Sequence, residues 1–124
     1  MIVKMNNKDE KFYQYMGKFF GSRLVERQTS DRIYDDEKKE WYLYIEENVV
    51  VAFTSVQNKI LKNLYCYKEK YLEEILIYIK KEEKKQEKIG NSVVTRKYIE
   101  VYEKCGFKIQ DSEGYKNFVT ICEG

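Results

Sequence analysis

The sequence predicts an α/β (α+β) fold, and three observations support this prediction. The chain has 124 residues, of which 43% are hydrophobic, so it can form one core and is expected to be a single domain over residues 1–124. Several short segments are rich in β-branched and aromatic residues, as strands are. Other segments repeat apolar residues every three or four positions, which is typical of amphipathic helices.

The first forty residues are predicted to contain one long helix. An amphipathic helix is expected from Asp9 to about Val25, because apolar residues recur there at helical spacing. Residues 26–40 are polar and charged and are expected to form a loop or a short helix. The apolar positions of the predicted helix are Phe12, Tyr15, Met16, Phe19, Phe20 and Leu24.

The middle of the chain predicts three strands and then a helix. Trp41–Ile45 and Val49–Val56 flank a short polar connection in which Asn48 can adopt a positive φ, so they are expected to form a β-hairpin. A third strand is predicted at Ile60–Tyr67, and a helix is predicted to start near Lys70. The apolar stripe of that helix comprises Tyr71, Leu72, Ile75, Leu76 and Ile79.

The charged run from Lys80 to Lys88 is interpreted as the solvated end of this helix rather than as a binding patch. Its opposite charges meet at three-residue spacing, and each such pair stabilises a helix by only about 0.2–0.5 kcal/mol. Several residues four positions apart carry like charges, which weakens the run further. Gly90 is predicted to end the helix.

The C-terminal third predicts three strands and a second helix. A short strand is expected at Ser92–Thr95. Two final strands are expected at Phe107–Gln110 and Tyr115–Cys122, joined by residues 111–114. The helix between the first and second of these strands is predicted to end at Gly106, because glycine suits the left-handed conformation that follows a helix. Its stripe comprises Tyr98, Val101, Tyr102 and Cys105.

The composition excludes several classes of function. The net charge is +2, with 23 basic and 21 acidic residues interleaved, so nucleic acid is the least expected partner. Histidine is absent, which removes the commonest general base and metal ligand, and no metal site is expected. Cys66, Cys105 and Cys122 are too widely spaced for a Cys-x-x-Cys site and are expected to be reduced and mostly buried.

The sequence also bears on where the protein works. No segment approaches the roughly 20 apolar residues of a membrane helix, so no membrane partner is expected. The N-terminus has no apolar run typical of a signal peptide, which predicts a cytoplasmic protein. The high Tyr, Lys and Ile content and the absence of Pro are typical of an AT-rich bacterial or phage genome.

One motif carries a resemblance to a known family. Thr95–Phe107, TRKYIEVYEKCGF, resembles the pattern Asn-x-x-Ala-x-x-Leu-Tyr-x-x-x-Gly-Phe of the GNAT superfamily of N-acetyltransferases. Trp41–Thr54 resembles the strand-turn-strand hairpin of the same family, so the likeness covers about Trp41–Ile121. The resemblance implies a GNAT-like mixed, mostly antiparallel twisted sheet flanked by helices. It also implies that the first strand is either lost or lies within Met1–Met5.

The resemblance implies an N-acyltransferase that moves an acetyl group from acetyl-CoA to an amine acceptor. The coenzyme would bind in a cleft between the strands Ile60–Tyr67 and Ser92–Thr95. Tyr102 matches the tyrosine that commonly donates a proton to the departing coenzyme thiolate, although a buried core tyrosine is an equal alternative. The backbone groups expected to orient the thioester belong to Leu64, Tyr65, Cys66 and Tyr67.

This sequence also departs from the family at the expected coenzyme site. The glycine-rich loop that holds the pyrophosphate corresponds to Tyr67–Ile75, YKEKYLEEI, which has no glycine and three glutamates. Lys68 and Lys70 are expected to compensate in part. Thr95 and Tyr98 replace the usual Asn and Ala and are expected to border the coenzyme. No glutamate lies on the preceding strand, so no general base is assigned.

A second function remains open. A catalytically degenerate protein of this fold could act as an inhibitor or accessory module that binds another macromolecule. Tyrosine offers a large contact area at low entropic cost, so an exposed cluster of tyrosines would favour this alternative. The candidate tyrosines are Tyr13, Tyr34, Tyr42, Tyr44, Tyr67 and Tyr71.

Overall fold

Seven strands form two antiparallel sheets in the computed structural model, which describes residues 1–83, 88–110 and 117–123. The strands are β1 (Ile2–Met5), β2 (Glu40–Glu46), β3 (Val49–Gln57), β4 (Ile60–Cys66), β5 (Ser92–Thr95), β6 (Phe107–Gln110) and β7 (Phe118–Glu123). The order is β1-β2-β3-β4 in the first sheet and β5-β7-β6 in the second. The first strand of the expected pattern is therefore present at the N-terminus.

Helices flank these sheets, which confirms the predicted α+β class. They are α1 (Phe12–Met16), α2 (Arg23–Thr29), α3 (Glu69–Glu83) and α4 (Ile99–Lys104), and a short 3-10 turn (Arg96–Tyr98) precedes α4. Among the described residues, no helix is both long enough and apolar enough to cross a membrane.

The prediction of one helix from Asp9 to about Val25 is wrong. Gly21 has a φ of +73°, which an α-helix cannot include, and Ser22 starts a new helix by accepting a hydrogen bond from the Val25 N–H at 3.3 Å. The apolar spacing misled because α1 and the turn after it still direct Phe12 and Phe19 into the core. The left-handed Gly21 and the Ser22 cap therefore divide the segment into two helices, although its apolar spacing is continuous.

Two tight turns connect the central strands of the first sheet. Glu47 and Asn48 have φ values of +48° and +63° between β2 and β3, which bears out the positive φ predicted for Asn48. Asn58 and Lys59 have φ values of +51° and +66° between β3 and β4. Positive φ at both central residues is the geometry of a type I′ hairpin turn, whose twist matches that of the strands.

The first sheet is buried on both faces. Alternate residues of β2 point to opposite sides, so Trp41 packs with the α1 side chains whereas Tyr42 packs with α3. All five residues of the apolar stripe predicted for α3 are buried. The second face also holds Tyr102 and Phe107, whose rings meet edge to face at 5.9 Å.

The end of α4 confirms one prediction and corrects another. Gly106 follows the helix with a φ of +91°, as predicted. Lys80 is not a freely solvated residue, because its ammonium donates to the Cys105 carbonyl at 2.6 Å. Residues 84–87 of the charged run, and the predicted connection 111–114 with Tyr115, lie outside the described ranges.

The two sheets meet where β4 and β5 begin. The Gly90 N–H donates to the Lys59 carbonyl at 2.8 Å, and the Leu61 N–H donates to the Ser92 hydroxyl at 2.9 Å. Residue numbers increase together along the two segments, from Lys59 and Gly90 to Leu61 and Ser92. The strands β4 and β5 therefore start side by side and run parallel. No strand pairing within the described residues continues beyond this point, so the strands separate. The architecture therefore combines antiparallel pairing within each sheet with a parallel contact between the two sheets.

Candidate functional site

A cleft opens where β4 and β5 separate. It consists of two cavities of about 250 Å³ and about 230 Å³. Thr29, Leu64 and Thr95 line both cavities, so the two lie next to each other. Helix α2 and the segment after it cover one side, and α4 contributes Tyr102 to the first cavity.

The structure brings most of the predicted site residues together in this cleft. Tyr102 lines the first cavity together with Leu64 and Thr95. Lys68 and Lys70 are exposed and line neither cavity. The second cavity is lined by Leu64, Tyr65, Cys66, Tyr67, Thr95 and Tyr98.

Tyr102 is a buried tyrosine whose hydroxyl faces the cleft. Its side chain is 1% exposed, and the hydroxyl makes no hydrogen bond to any group in the described ranges. No fully solvent-excluded side-chain nitrogen or oxygen of these residues lacks a partner, so the hydroxyl must keep contact with the open space of the cleft. Burial raises the pKa of Tyr102 well above its usual value, and the nearby Cys66 and Tyr98 raise it further. The phenol is therefore a neutral hydrogen-bond donor.

Tyr98 and Cys66 link the two sides of the second cavity. Tyr98 follows β5, and its ring lies beside the Cys66 thiol at the end of β4. Burial, and then the neighbouring Cys66 thiol, raise the pKa of Tyr98 above its usual range. Burial also raises the pKa of Cys66, although Tyr98 and Lys97 partly offset the effect. All three cysteines are free, but they are half-buried rather than mostly buried as expected.

A β-bulge in β4 places a second polar group at the first cavity. Asn63 has a φ of +55°, and the pairing between β3 and β4 shifts around it. The Ser55 hydroxyl donates to Asn63 Oδ1 at 3.0 Å, and Asn63 Nδ2 donates to Asp31 Oδ2 at 3.3 Å. Sequence reasoning missed Asp31 and Asn63 as site residues. An asparagine within a β-branched and aromatic strand pattern was the available signal, because Asn tolerates a positive φ.

No protein-family model matches the sequence, and no curated protein matches it. Solved structures do match the fold. The chain matches an N-acetyltransferase from Staphylococcus aureus at a TM-score of 0.65 and 12% identity, over 98% of this chain and 93% of that one. It matches a Bacillus subtilis acetyltransferase in complex with CoA at 0.61 and 14%, over 98% and 96%. It matches a Campylobacter jejuni N-acetyltransferase in complex with acetyl-CoA at 0.56 and 16%, over 98% and 97%.

The chain has the GNAT N-acetyltransferase fold. Because more than nine-tenths of both chains is covered in each comparison, the likeness extends over nearly the whole chain and not only over the motif around Tyr102. At 12–16% identity it establishes the fold and leaves residue roles to the geometry of this cleft.

The junction between β4 and α3, where the resemblance predicts the pyrophosphate site, is short. Tyr67 and Lys68 form a bend, and α3 begins at the next residue, Glu69. Two of the three glutamates in this stretch interact with residues of other elements. Glu73 lies 3.2 Å from the Lys104 ammonium, and the neighbouring Glu74 carboxylate raises the pKa of Tyr44 to about 12.

A metal does not explain the cleft. Within the described ranges, no group of three or more His, Cys, Asp or Glu residues is placed to hold an ion. The polar groups on the described walls of the cleft are hydroxyls, one thiol, one carboxylate, the ammonium groups of Lys62 and Lys97, two side-chain amides and the backbone of β4.

Proposed function

We propose that this chain is an N-acyltransferase that moves an acetyl group from acetyl-CoA to an amine. The observation that carries the proposal is Tyr102, whose ring is buried and whose hydroxyl lines the cleft between β4 and β5 with no hydrogen-bond partner in the described chain. Because the hydroxyl keeps contact with the open space of the cleft, its proton is available to a bound ligand. Acetyl-CoA is the ligand that the fold suggests.

The cleft residues would act on the thioester in two ways. The backbone of β4 from Leu64 to Cys66 lies along the cleft and orients the thioester arm. When the neutral acceptor nitrogen attacks the acetyl carbon, the carbon–sulfur bond breaks and negative charge develops on the departing sulfur. The nitrogen loses a proton to water in the cleft, and water returns a proton to Tyr102 after its phenol has protonated the thiolate. The Tyr102 phenol donates to that sulfur from a site with little water, where hydrogen bonds to charge are strongest. Its raised pKa keeps it protonated before the reaction, so the donor is always in place.

Acetyl-CoA binding is the first test. A ligand that binds only the folded state at 100 times its Kd adds about 2.7 kcal/mol to the free energy of unfolding, so thermal unfolding should shift upward. Tyr102→Phe should then leave the Kd for acetyl-CoA nearly unchanged and lower turnover by about 100-fold or more. Tyr42→Phe is the matched control, since Tyr42 is equally buried but lines neither cavity. Unchanged turnover in Tyr102→Phe would remove Tyr102 from the chemistry.

A macromolecule-binding module is the second candidate, and one feature favours it. Helix α3 starts at Glu69 without a glycine loop, and Tyr98 and Cys66 both line the second cavity with their side chains close together, so the coenzyme end of the cleft is narrowed. Of the six candidate tyrosines, Tyr13, Tyr34 and Tyr67 are exposed, but they lie on separate segments and do not support the expected exposed cluster. If neither the wild type nor Tyr98→Ala binds acetyl-CoA, the module is the better description.

A further inference from the structure

Asp31 is the one carboxylate on the described walls of the cleft. It lines the first cavity, which also contains Tyr102, and no Asp or Glu lines the second. We propose that Asp31 binds the acceptor, so that the substrate class of this site is a small cationic primary amine. This inference rests on the proposed acyltransferase function, because it assigns the second substrate of that reaction.

The carboxylate is held in place by a chain of polar contacts. Ser55 donates to the Asn63 amide oxygen, which leaves the amide nitrogen to donate to Asp31 at 3.3 Å and to the Arg32 carbonyl at 3.2 Å. Asn63 is 6% exposed and adopts a positive φ in the bulge. The bulge thus orients Asn63 as a positioning residue, and the loop after α2 cannot move Asp31 out of the cavity without breaking these contacts.

The carboxylate retains room for a cation. An ionised carboxylate offers about four lone-pair sites. The Asn63 side-chain amide takes one of them, at 3.3 Å from Asp31 Oδ2. An ammonium group can take a remaining site and would offset the desolvation that raises the pKa of Asp31. The bound ammonium group then loses one proton to water in the cleft, and the neutral nitrogen that results is the one that attacks the acetyl carbon.

The neighbouring cations are already occupied. Lys39 acts on Asp31 electrostatically, but its ammonium donates to the Tyr34 carbonyl at 2.8 Å and lies 3.8 Å from the Tyr34 ring centre. Lys62 lines the same cavity, and its ammonium donates to Gln57 Oε1 at 2.9 Å. Neither lysine makes a hydrogen bond or close ion pair with Asp31 in the described chain, so Asp31 can pair with an incoming ammonium group.

Nuclear magnetic resonance titration of the full chain tests this inference. Butylammonium chloride should shift the side-chain amide signal of Asn63 in a saturable way, whereas sodium butyrate and 1-butanol, which match its length, should not. Equal effects of the three probes would overturn the proposal. This wild-type comparison needs no variant.

Two variants sharpen the test. Asp31→Asn keeps the shape and should weaken butylammonium binding by about tenfold or more, since a charge-assisted hydrogen bond is lost. Asp36→Asn is the matched control, because Asp36 lies on the same loop but lines neither cavity, and it should leave binding unchanged. Equal affinity in the wild type and Asp31→Asn would also overturn the proposal.

Acetyl-CoA binding is measured in the same samples to separate two failures. Coenzyme binding without a selective butylammonium shift would refute the role of Asp31 and leave the acyltransferase proposal standing. A selective butylammonium shift without coenzyme binding would refute the acyltransferase and, with it, the description of this amine as an acetyl acceptor.

Discussion

Replacing Tyr102 with Phe distinguishes a hydroxyl retained for a ligand from one that stabilises the fold. Tyr102 and Tyr42 are both 1% exposed, but Tyr42 donates to Glu82 at 3.0 Å whereas Tyr102 has no partner within the described ranges. A hydrogen bond contributes about 0.5–1.5 kcal/mol net. Tyr42→Phe should therefore lower the free energy of unfolding by about 1 kcal/mol, and Tyr102→Phe should change it by less than about 0.5 kcal/mol.

Urea denaturation of the three proteins measures this difference. The midpoints should fall for Tyr42→Phe and stay in place for Tyr102→Phe, with equal slopes, since no change in exposed surface is expected. In thermal unfolding, the loss in Tyr42→Phe corresponds to a Tm lower by about 4 °C for a domain of this size.

The refuting result is equal destabilisation by both substitutions. It would mean that the Tyr102 hydroxyl has a structural partner, and the argument that the cleft awaits a ligand would fail. The supporting result is that Tyr102→Phe keeps the stability of the wild type while its rate of acetyl transfer falls by about 100-fold.

Three further predictions follow from the cleft and its surroundings. Acetyl-pantetheine should bind within about tenfold of acetyl-CoA in calorimetry, because the glycine-free junction gives the phosphates little of the usual amide binding. Gly106→Ala should lower the free energy of unfolding by about 1–2 kcal/mol because of its positive φ, whereas Gly90→Ala should be nearly neutral in the same urea assay. The rate at which iodoacetamide alkylates Cys66, measured by mass spectrometry as a function of pH, should give a pKa above the usual thiol value. Tyr98→Phe should raise that pKa further, because Tyr98 lowers it in the wild type.

The raised pKa of Cys66 has a defined sign for stability. Because the folded protein holds this proton more tightly than the unfolded chain, the associated stability is complete below the ordinary thiol pKa and is lost as pH rises through the folded value. Cys66→Ser should therefore flatten the decline of Tm between pH 8 and about 10. An unchanged decline would show that Cys66 does not titrate in this range.

Local pattern determined much of the architecture. Strands β5 and β6, the positive φ of Asn48 and the left-handed Gly106 were all predicted from the sequence, because each depends on neighbouring residues and on intrinsic backbone preference. The α3 stripe was predicted for the same reason, since a 3.6-residue period specifies one buried face. The long N-terminal helix failed because periodicity does not register a break such as Gly21.

The sequence by itself also predicted that Tyr102 and the end of β4 belong to one candidate site, through the resemblance carried by Thr95–Phe107. Only the tertiary structure decided which polar groups meet in the cleft. Asp31 and Asn63 lie 32 residues apart and meet because of a bulge, and Tyr98 lies beside Cys66 where β4 and β5 separate. Such contacts depend on how the two sheets pack and diverge. That arrangement is set by the whole tertiary structure, and no local sequence pattern encodes it.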